Sequence, residues 1–163
     1  MLVRDARESD FAHVLRLNAE SVHFLSPLDP QRLTWLHGMA AYHRVVEWQG
    51  RVEAFLLGFR EGSAYDSLNY GWFTARYRQF LYIDRIVVGS SLQRQGAGRR
   101  LYEDLMQFAR RAGVQTITCE IDVDPPNEIS RRFHQGFGFA EVGSQIVGAS
   151  RKRVSLQVKE APC

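Results

Sequence analysis

The sequence predicts an α/β (α+β) fold, a mixed sheet of about seven strands with about four helices on its faces. Three observations lead there. Short runs rich in Val, Ile, Phe and Tyr recur along the chain, bounded by Gly, Pro, Asn and Asp. Between them lie stretches whose apolar residues return at helical spacing. Hydrophobic residues make up 45% and charged residues 24% of the 163 positions, a balance that allows one full core.

Leu2 to Ala6 reads as the first strand. Ser9 stands where a helix cap is expected, ahead of Phe11, Val14, Leu15 and Leu17 on one apolar face. Ser26-Pro27-Leu28-Asp29-Pro30 makes a turn, and Gln31 to Gly38 a second short helix. Tyr42 to Trp48 and Val52 to Phe59 read as two strands joined by a hairpin at Gln49-Gly50. Arg60 to Arg78 has no helical period and is rich in Tyr, Trp, Phe, Ser and Gly. It reads as an irregular loop, of a length that is often functional inside compact domains.

Phe80 to Val88 is a strong strand. Gly96 to Gly113 carries Leu101, Leu105, Phe108 and Ala112 at helical spacing, with Gly113 as the stop. Val114 to Val123 is a strand and Asn127 to Gln135 a short helix ended by Gly136 to Gly138. Phe139 to Val142 and Arg153 to Val158 read as the last two strands. No repeat, low-complexity tract or linker divides the chain, so one domain over residues 1–163 is expected.

Composition also narrows the function classes. No stretch approaches the about 18 to 20 apolar residues that a membrane-spanning helix requires. The start, Met1-Leu2-Val3-Arg4-Asp5, lacks the apolar core of a signal peptide, which points to the cytoplasm and to no membrane partner. Cys119 and Cys163 are a poor disulfide framework and read as two free thiols. Net charge is +3 and the pI about 9.1, but the arginines are scattered. The densest cluster, Arg151-Lys152-Arg153, reads as a solvated strand start or as a phosphate contact, and nothing resembles a nucleic-acid module. His13, His23, His37 and His43 are scattered without metal-ligand spacing, and no metal is expected.

The informative stretch runs from Val87 to Arg100: a strand ends, a polar glycine-containing turn follows, and a long amphipathic helix begins. The first N–H groups of a helix lack intrahelical acceptors, and the macrodipole there resembles roughly half a positive charge. Gly96 and Gly98 carry no Cβ, so an anion can come close to those groups. Arg94 and Arg99 add charge-assisted donors. Chemically this is a phosphate seat; the bland alternative is an ordinary helix start. A Walker loop would need Lys followed by Ser or Thr after its last glycine, and a dinucleotide fingerprint a third glycine near the first strand; both are absent.

Gln93-Arg94-Gln95-Gly96-Ala97-Gly98 resembles the Gln/Arg-x-x-Gly-x-Gly/Ala motif of the GNAT acetyltransferases. Asn127, Ser130, Phe133 and His134, followed by Gly138-Phe139, resemble the family's later signature, Asn-x-x-Ala-x-x-x-Tyr-x-x-x-Gly-Phe. The resemblance is close over residues 80–142 and rests on element order elsewhere. It implies a mostly antiparallel GNAT-like sheet and an acetyl-CoA-dependent N-acetyltransferase. Gln93, Arg94, Gln95, Gly96, Ala97, Gly98 and Arg99 would wrap the pyrophosphate of coenzyme A. Ile86, Val87 and Val88 would hydrogen-bond the pantetheine arm, and Asn127, Ser130, Phe133 and His134 would line the cofactor. His134 departs from the pattern: the family often has there a tyrosine assigned to protonate the departing thiolate.

Acetyl transfer to an amine needs a neutral amine, and an alkyl ammonium has a pKa of about 10.4, so a base must take its proton. The carboxylates on the two central strands are the candidates, in the order Glu120, Asp84, Asp122. Each sits among apolar neighbours, where a carboxylate is costly unless paired or wet; the rival reading is a buried salt bridge with Arg85 or Arg131. His134, with a reference pKa of about 6.5, is the candidate acid, or else it packs against the cofactor. Tyr82 is a weaker candidate. In the family's topology the acceptor enters beside the aromatic loop, so Tyr70, Trp72 and Phe73, with Tyr82 and Asp122, are candidate substrate contacts, and loop packing is the plain alternative. The acceptor is expected to be a small-molecule or peptide amine. A protein lysine or N-terminal acetyltransferase, and a non-catalytic acetyl-CoA sensor, stay open; the resemblance admits a homodimer.

Overall fold

The computed structural model describes residues 1–160, so Cys163 lies outside the described residues. The strands are β1 (Leu2–Asp5), β2 (Tyr42–Trp48), β3 (Arg51–Arg60), β4 (Leu81–Val88), β5 (Thr116–Asp124), β6 (Ala140–Val147) and β7 (Lys152–Glu160). The helices are α1 (Phe11–Ala19), α2 (Pro30–Met39), α3 (Leu68–Thr74), α4 (Ala97–Arg111) and α5 (Glu128–Gly136). The strands form one seven-stranded sheet in the order β1-β2-β3-β4-β5-β7-β6. β4 and β5 pair in parallel, while β1 with β2, β2 with β3, β5 with β7 and β6 with β7 pair antiparallel. The mixed, mostly antiparallel α/β architecture is therefore the expected one. None of the described helices is long and apolar enough to cross a membrane.

The chain forms two compact units, Met1–Phe59 with Asp84–Phe108, and Arg60–Ile83 with the chain from Ala109 onward. In the first unit, β2 and β3 make the expected hairpin, with Trp48 opposite Arg51. Val52 to Phe59 is buried at every position, as for a strand covered on both faces. Val14 and Leu17 of α1, Leu33 of α2, Val45, Phe55 and Val87 close the core. α2 starts as its sequence dictates: Asp29 Oδ1 accepts from Arg32 N at 2.7 Å, and Pro30 takes the first helical position. The start of α1 differs from expectation. Ser9 lies inside a 3-10 turn over Glu8–Asp10, and the Asp10 carboxylate braces that turn: it accepts from Arg7 N at 2.8 Å and from Arg4 through both carboxylate oxygens at 2.8 and 3.0 Å, with no side-chain cap on α1 itself. The Arg4 guanidinium holds the Asp10 carboxyl below the usual range. Only the fold brings Arg4 to this place, so the local pattern favoured the serine.

On α4, Leu101, Tyr102 and Leu105 are fully buried and Phe108 is half-buried, while Ala112, just past the end of the helix, is exposed. The buried stripe is thus displaced from the one expected. Tyr42 Oη donates to Asp104 Oδ2 at 2.7 Å, and Arg44 Nη1 donates to both Asp104 oxygens at 2.8 and 2.7 Å, tying α4 to β2. His37 and His43, far from scattered, share a hydrogen bond between their Nδ1 atoms at 2.8 Å, with the Phe11 ring edge-on to His37 and stacked on His43.

The second unit holds the main departure. The segment expected to be irregular contains α3, capped by Ser67 Oγ accepting from Tyr70 N at 3.3 Å. Its seven residues are too few for a periodic signal, and its stability comes from docking. The Trp72 ring packs closely against Gly143 of β6: a Cβ built there would stand 2.5 Å from Trp72 Cζ2. Asn69 Oδ1 accepts from Gln145 Nε2 at 2.7 Å beside it. β6 runs on to Val147, beyond the expected Val142. Gly113 ends α4 as expected, with Val114 N donating to Ala109 O at 2.9 Å.

The Gly143 contact gives the first test. Gly143→Val should displace the Trp72 ring and destabilise the protein by about 1 to 3 kcal/mol, the usual range for overpacking. Urea unfolding measures the loss, and near-ultraviolet circular dichroism should report the altered tryptophan environment; an unchanged spectrum and midpoint would refute the docking.

Candidate functional site

The turn leading into α4 is built from the end of β4. Gly89 N donates to Glu53 O at 2.8 Å, and a Cβ at that glycine would lie 2.9 Å from the same oxygen and 3.0 Å from Leu17 Cδ2. Only glycine lets the strand end this close to its neighbour. A 3-10 turn over Ser90–Leu92 follows, anchored by the buried Leu92. Gln95 folds back, with Nε2 donating to Ser91 O at 2.7 Å, and Gln93 Nε2 reaches Val88 O at 3.5 Å. The chain then takes two left-handed residues, Arg94 at φ 64° and Gly96 at φ 83°. For arginine that conformation costs about 1 kcal/mol or more.

Gly96 O accepts the first helical hydrogen bond, from Arg100 N at 3.0 Å, so the N–H groups of the next turn have no acceptor within the helix. A Cβ on Gly96 would meet nothing within 4 Å. Arg94, Arg99 and Arg100 are exposed around this opening, and Arg99 Nη1 stands 3.9 Å from Glu103. Outward N–H groups, guanidinium groups and open space fit a phosphate-bearing ligand. Of the expected strand contacts, Val87 is buried, while Ile86 and Val88 are half-buried.

In the second unit, β5 pairs with β4 at Leu81↔Ile117 and Tyr82↔Thr118. Period two puts Thr118, Glu120 and Asp122 on one face of β5. Tyr82 Oη donates to Glu120 Oε2 at 2.7 Å. Thr118 is fully buried, and its hydroxyl has no hydrogen-bond partner among the described residues. Asp122 is buried beside Lys152, with Nζ 3.0 Å from Oδ2 in an ionic contact rather than a directed hydrogen bond. Burial pushes the Asp122 carboxyl above the usual range, and Lys152 opposes the shift. Lys152 thus leaves the solvated basic cluster, while Arg151 and Arg153 stay exposed.

Asp84, in the first unit, meets its rival reading. Its Oδ2 accepts from Arg85 Nε at 2.6 Å, and both side chains are almost fully buried. Arg85 also donates to Asn18 Oδ1 at 3.0 Å and to Ser26 O at 3.1 Å. Arg131, the other proposed partner, instead pairs with Glu128, whose carboxyl Arg131 and Arg132 hold down at about 2.

Asn127 links β5 to α5. Its N–H donates to Asp122 O at 3.0 Å, and its Oδ1 caps the helix by accepting from Ser130 N at 3.2 Å. His134 is buried at 4% exposure, edge-on to Phe133 and Phe139. Its Nδ1 lies 2.7 Å from Ser130 O, so that nitrogen carries the hydrogen, and in the neutral ring Nε2 is an acceptor. Burial lowers its pKa, against the hydrogen bond to Ser130 O. The neutral imidazole therefore predominates at neutral pH.

The aromatic residues divide. Tyr70, Phe73 and Tyr82 are buried, and Tyr70 Oη donates to Arg60 O at 2.7 Å and accepts from Ser63 N at 3.0 Å. Trp72 is half-buried between Gly143 and the Arg76 guanidinium, which lies 3.8 Å from its ring centre. The fold thus joins Tyr82 to Glu120 and Lys152 to Asp122, and ties Asp84 to Arg85. Gly89, Thr118 and Lys152 were not foreseen. Their significance comes from partners 36, 36 and 30 positions away in sequence, for which no local signal exists.

The model of the acetyltransferase (GNAT) family matches residues 10–139. A search of the curated proteins finds no match. Among solved structures, Ard1 from Thermoplasma volcanium superposes with a TM-score of 0.83 at 16% identity, covering 99% of this chain and 98% of that one. The ribosomal-protein-S18-alanine N-acetyltransferase from Escherichia coli gives 0.75 at 16% identity, over 99% of this chain and 94% of that one. The putative acetyltransferase yncA from Salmonella typhimurium, solved with its cofactor acetyl-CoA, gives 0.75 at 21% identity, over 100% and 95%. At these identities the superpositions speak for the fold alone, but the family model spans most of the sequence, both motifs included: the chain belongs to the acetyltransferase (GNAT) family.

Proposed function

We propose that the chain is an acetyl-CoA-dependent N-acetyltransferase, one domain over residues 1–163, that acts on a primary amine of a small molecule or peptide. The observation that carries this reading is the turn into α4, with its left-handed Arg94 and Gly96 and the outward N–H groups after them. Those N–H groups, with Gln93, Arg94, Gln95 and Arg99, would hold the diphosphate, and the edge of β4 at Ile86–Val88 the pantetheine arm. Asn127, Ser130, Phe133 and His134 would flank the cofactor from α5. Acetyl-CoA, when bound, supplies an acetyl group already activated as a thioester.

Among the carboxylates the base role goes to Glu120, which is half-buried and hydrogen-bonded by Tyr82. It would take the proton that the amine loses on attack. Asp84 is committed to Arg85, and Asp122 to Lys152, which suits them to holding structure and shaping the acceptor side. His134 would give a proton to the leaving sulfur from its cationic form, which is scarce at neutral pH and grows as pH falls. That scarcity favours a second reading, a non-catalytic acetyl-CoA sensor.

Two measurements separate the readings. Saturating acetyl-CoA at about 100 times its Kd should add about 2.7 kcal/mol of stability in a thermal shift, and Gly96→Glu, which sets bulk and negative charge in the seat, should remove the shift. An unshifted wild type, or a variant that still binds, would discard the phosphate seat. Release of free thiol across an amine panel then distinguishes enzyme from sensor. For the enzyme, His134→Phe should lower kcat by about tenfold or more and change acetyl-CoA affinity little; unchanged kcat would remove the acid role.

A further inference from the structure

The aromatic segment between β3 and β4 was the expected acceptor cage, yet its rings are turned inward. Tyr82 is fully buried and is surrounded by Tyr70, Phe73 and Tyr65, at ring-centre distances of 5.6, 6.0 and 6.4 Å. These rings are themselves fixed. The Tyr70 hydroxyl is engaged by Arg60 O and Ser63 N, and Phe73 lies edge-on to Trp72, which rests on Gly143. The Tyr82 hydroxyl donates to Glu120 Oε2 at 2.7 Å, two residues along β5 from Thr118, the register partner of Tyr82.

From this we infer that Tyr82 is a positioning residue for the base Glu120, and that the aromatic segment serves as its socket rather than as a cage for the acceptor. The inference rests on the proposed role of Glu120. A hydrogen bond from a neutral phenol to a carboxylate favours the charged form. It also fixes the side-chain rotamer, so the base is held in one place to meet the acceptor's proton. A carboxylate offers about four lone-pair sites, so accepting from the phenol is compatible with taking up a proton. Holding a catalytic group from a rigid, packed shell is what gives a loosely placed acceptor a fixed target.

Tyr82→Phe tests this, because it keeps the ring and removes the donor. Carbon-13 carboxyl NMR, with the Glu120 signal identified by its loss in Glu120→Gln, should show Glu120 titrating at higher pH in Tyr82→Phe than in the wild type, by about one pH unit. The acidic limb of the kcat profile should move the same way. At pH 7, kcat should fall about tenfold while the Kd for acetyl-CoA and the KM for the amine change less than about twofold. A Glu120 titration identical in both proteins overturns the inference, as does a rise confined to the amine KM, which would restore the acceptor cage. The NMR experiment needs no turnover. If the wild type acetylated no amine, the proposed function would fall while the Tyr82–Glu120 relation was still decided on its own.

Discussion

Parallel strands are joined by a crossover, usually a helix, and here the crossover through α4 also carries the turn proposed to hold the cofactor. Gly89 brings β4 to within hydrogen-bonding distance of Glu53, closer than any side chain would allow. Five residues later Arg94 accepts a left-handed conformation, and Gly96 another, so that α4 begins with its first N–H groups facing outward. The backbone energy spent at Arg94 has no packing return, since the side chain is exposed. Strain kept at an exposed position is the pattern of a functional turn. The Tyr42 and Arg44 contacts to Asp104 then hold the helix behind it, so the turn's geometry is fixed at both ends.

Burial sorts the charged groups on the two central strands into different tasks. Asp84 and Arg85 neutralise one another in an almost dry setting, and Arg85 extends the link to Asn18 and Ser26. Removing either partner would leave a lone buried charge, so such a pair is structural cement and a poor source of chemistry. Asp122 leans on Lys152 with its acidity weakened. Glu120 differs in accepting a hydrogen bond from a neutral donor, the Tyr82 phenol. Three carboxylates of similar sequence context thus acquire three characters from their neighbours.

Much of this was legible in the sequence. The runs of β-branched residues located the strands, and Gly113 gave the end of α4 because its conformation there suits glycine. The Gly96-Ala97-Gly98 turn was readable because backbone chemistry at a helix start depends on local residues alone. What escaped depended on distant partners. α3 is too short to show a period and is defined by Trp72 against Gly143. Ser9 does not cap α1 because it falls within a 3-10 turn that Asp10 braces through Arg7 and Arg4. The choice among Asp84, Glu120 and Asp122 turned on Arg85, Tyr82 and Lys152, and two of these become neighbours only through strand register.

The two imidazoles joined between α2 and β2 have a consequence for the protein in acidic surroundings. One Nδ1 must donate and the other accept, so the pair cannot take a second proton between its rings without parting. His43 is held down at about 4 by burial first and by His37 second, against a small opposing pull from Asp10. A group whose acidity is strengthened on folding binds fewer protons folded than unfolded, so stability is lost as pH falls from 6.5 towards 4. The joint at the end of α2 is therefore a weak point under acid.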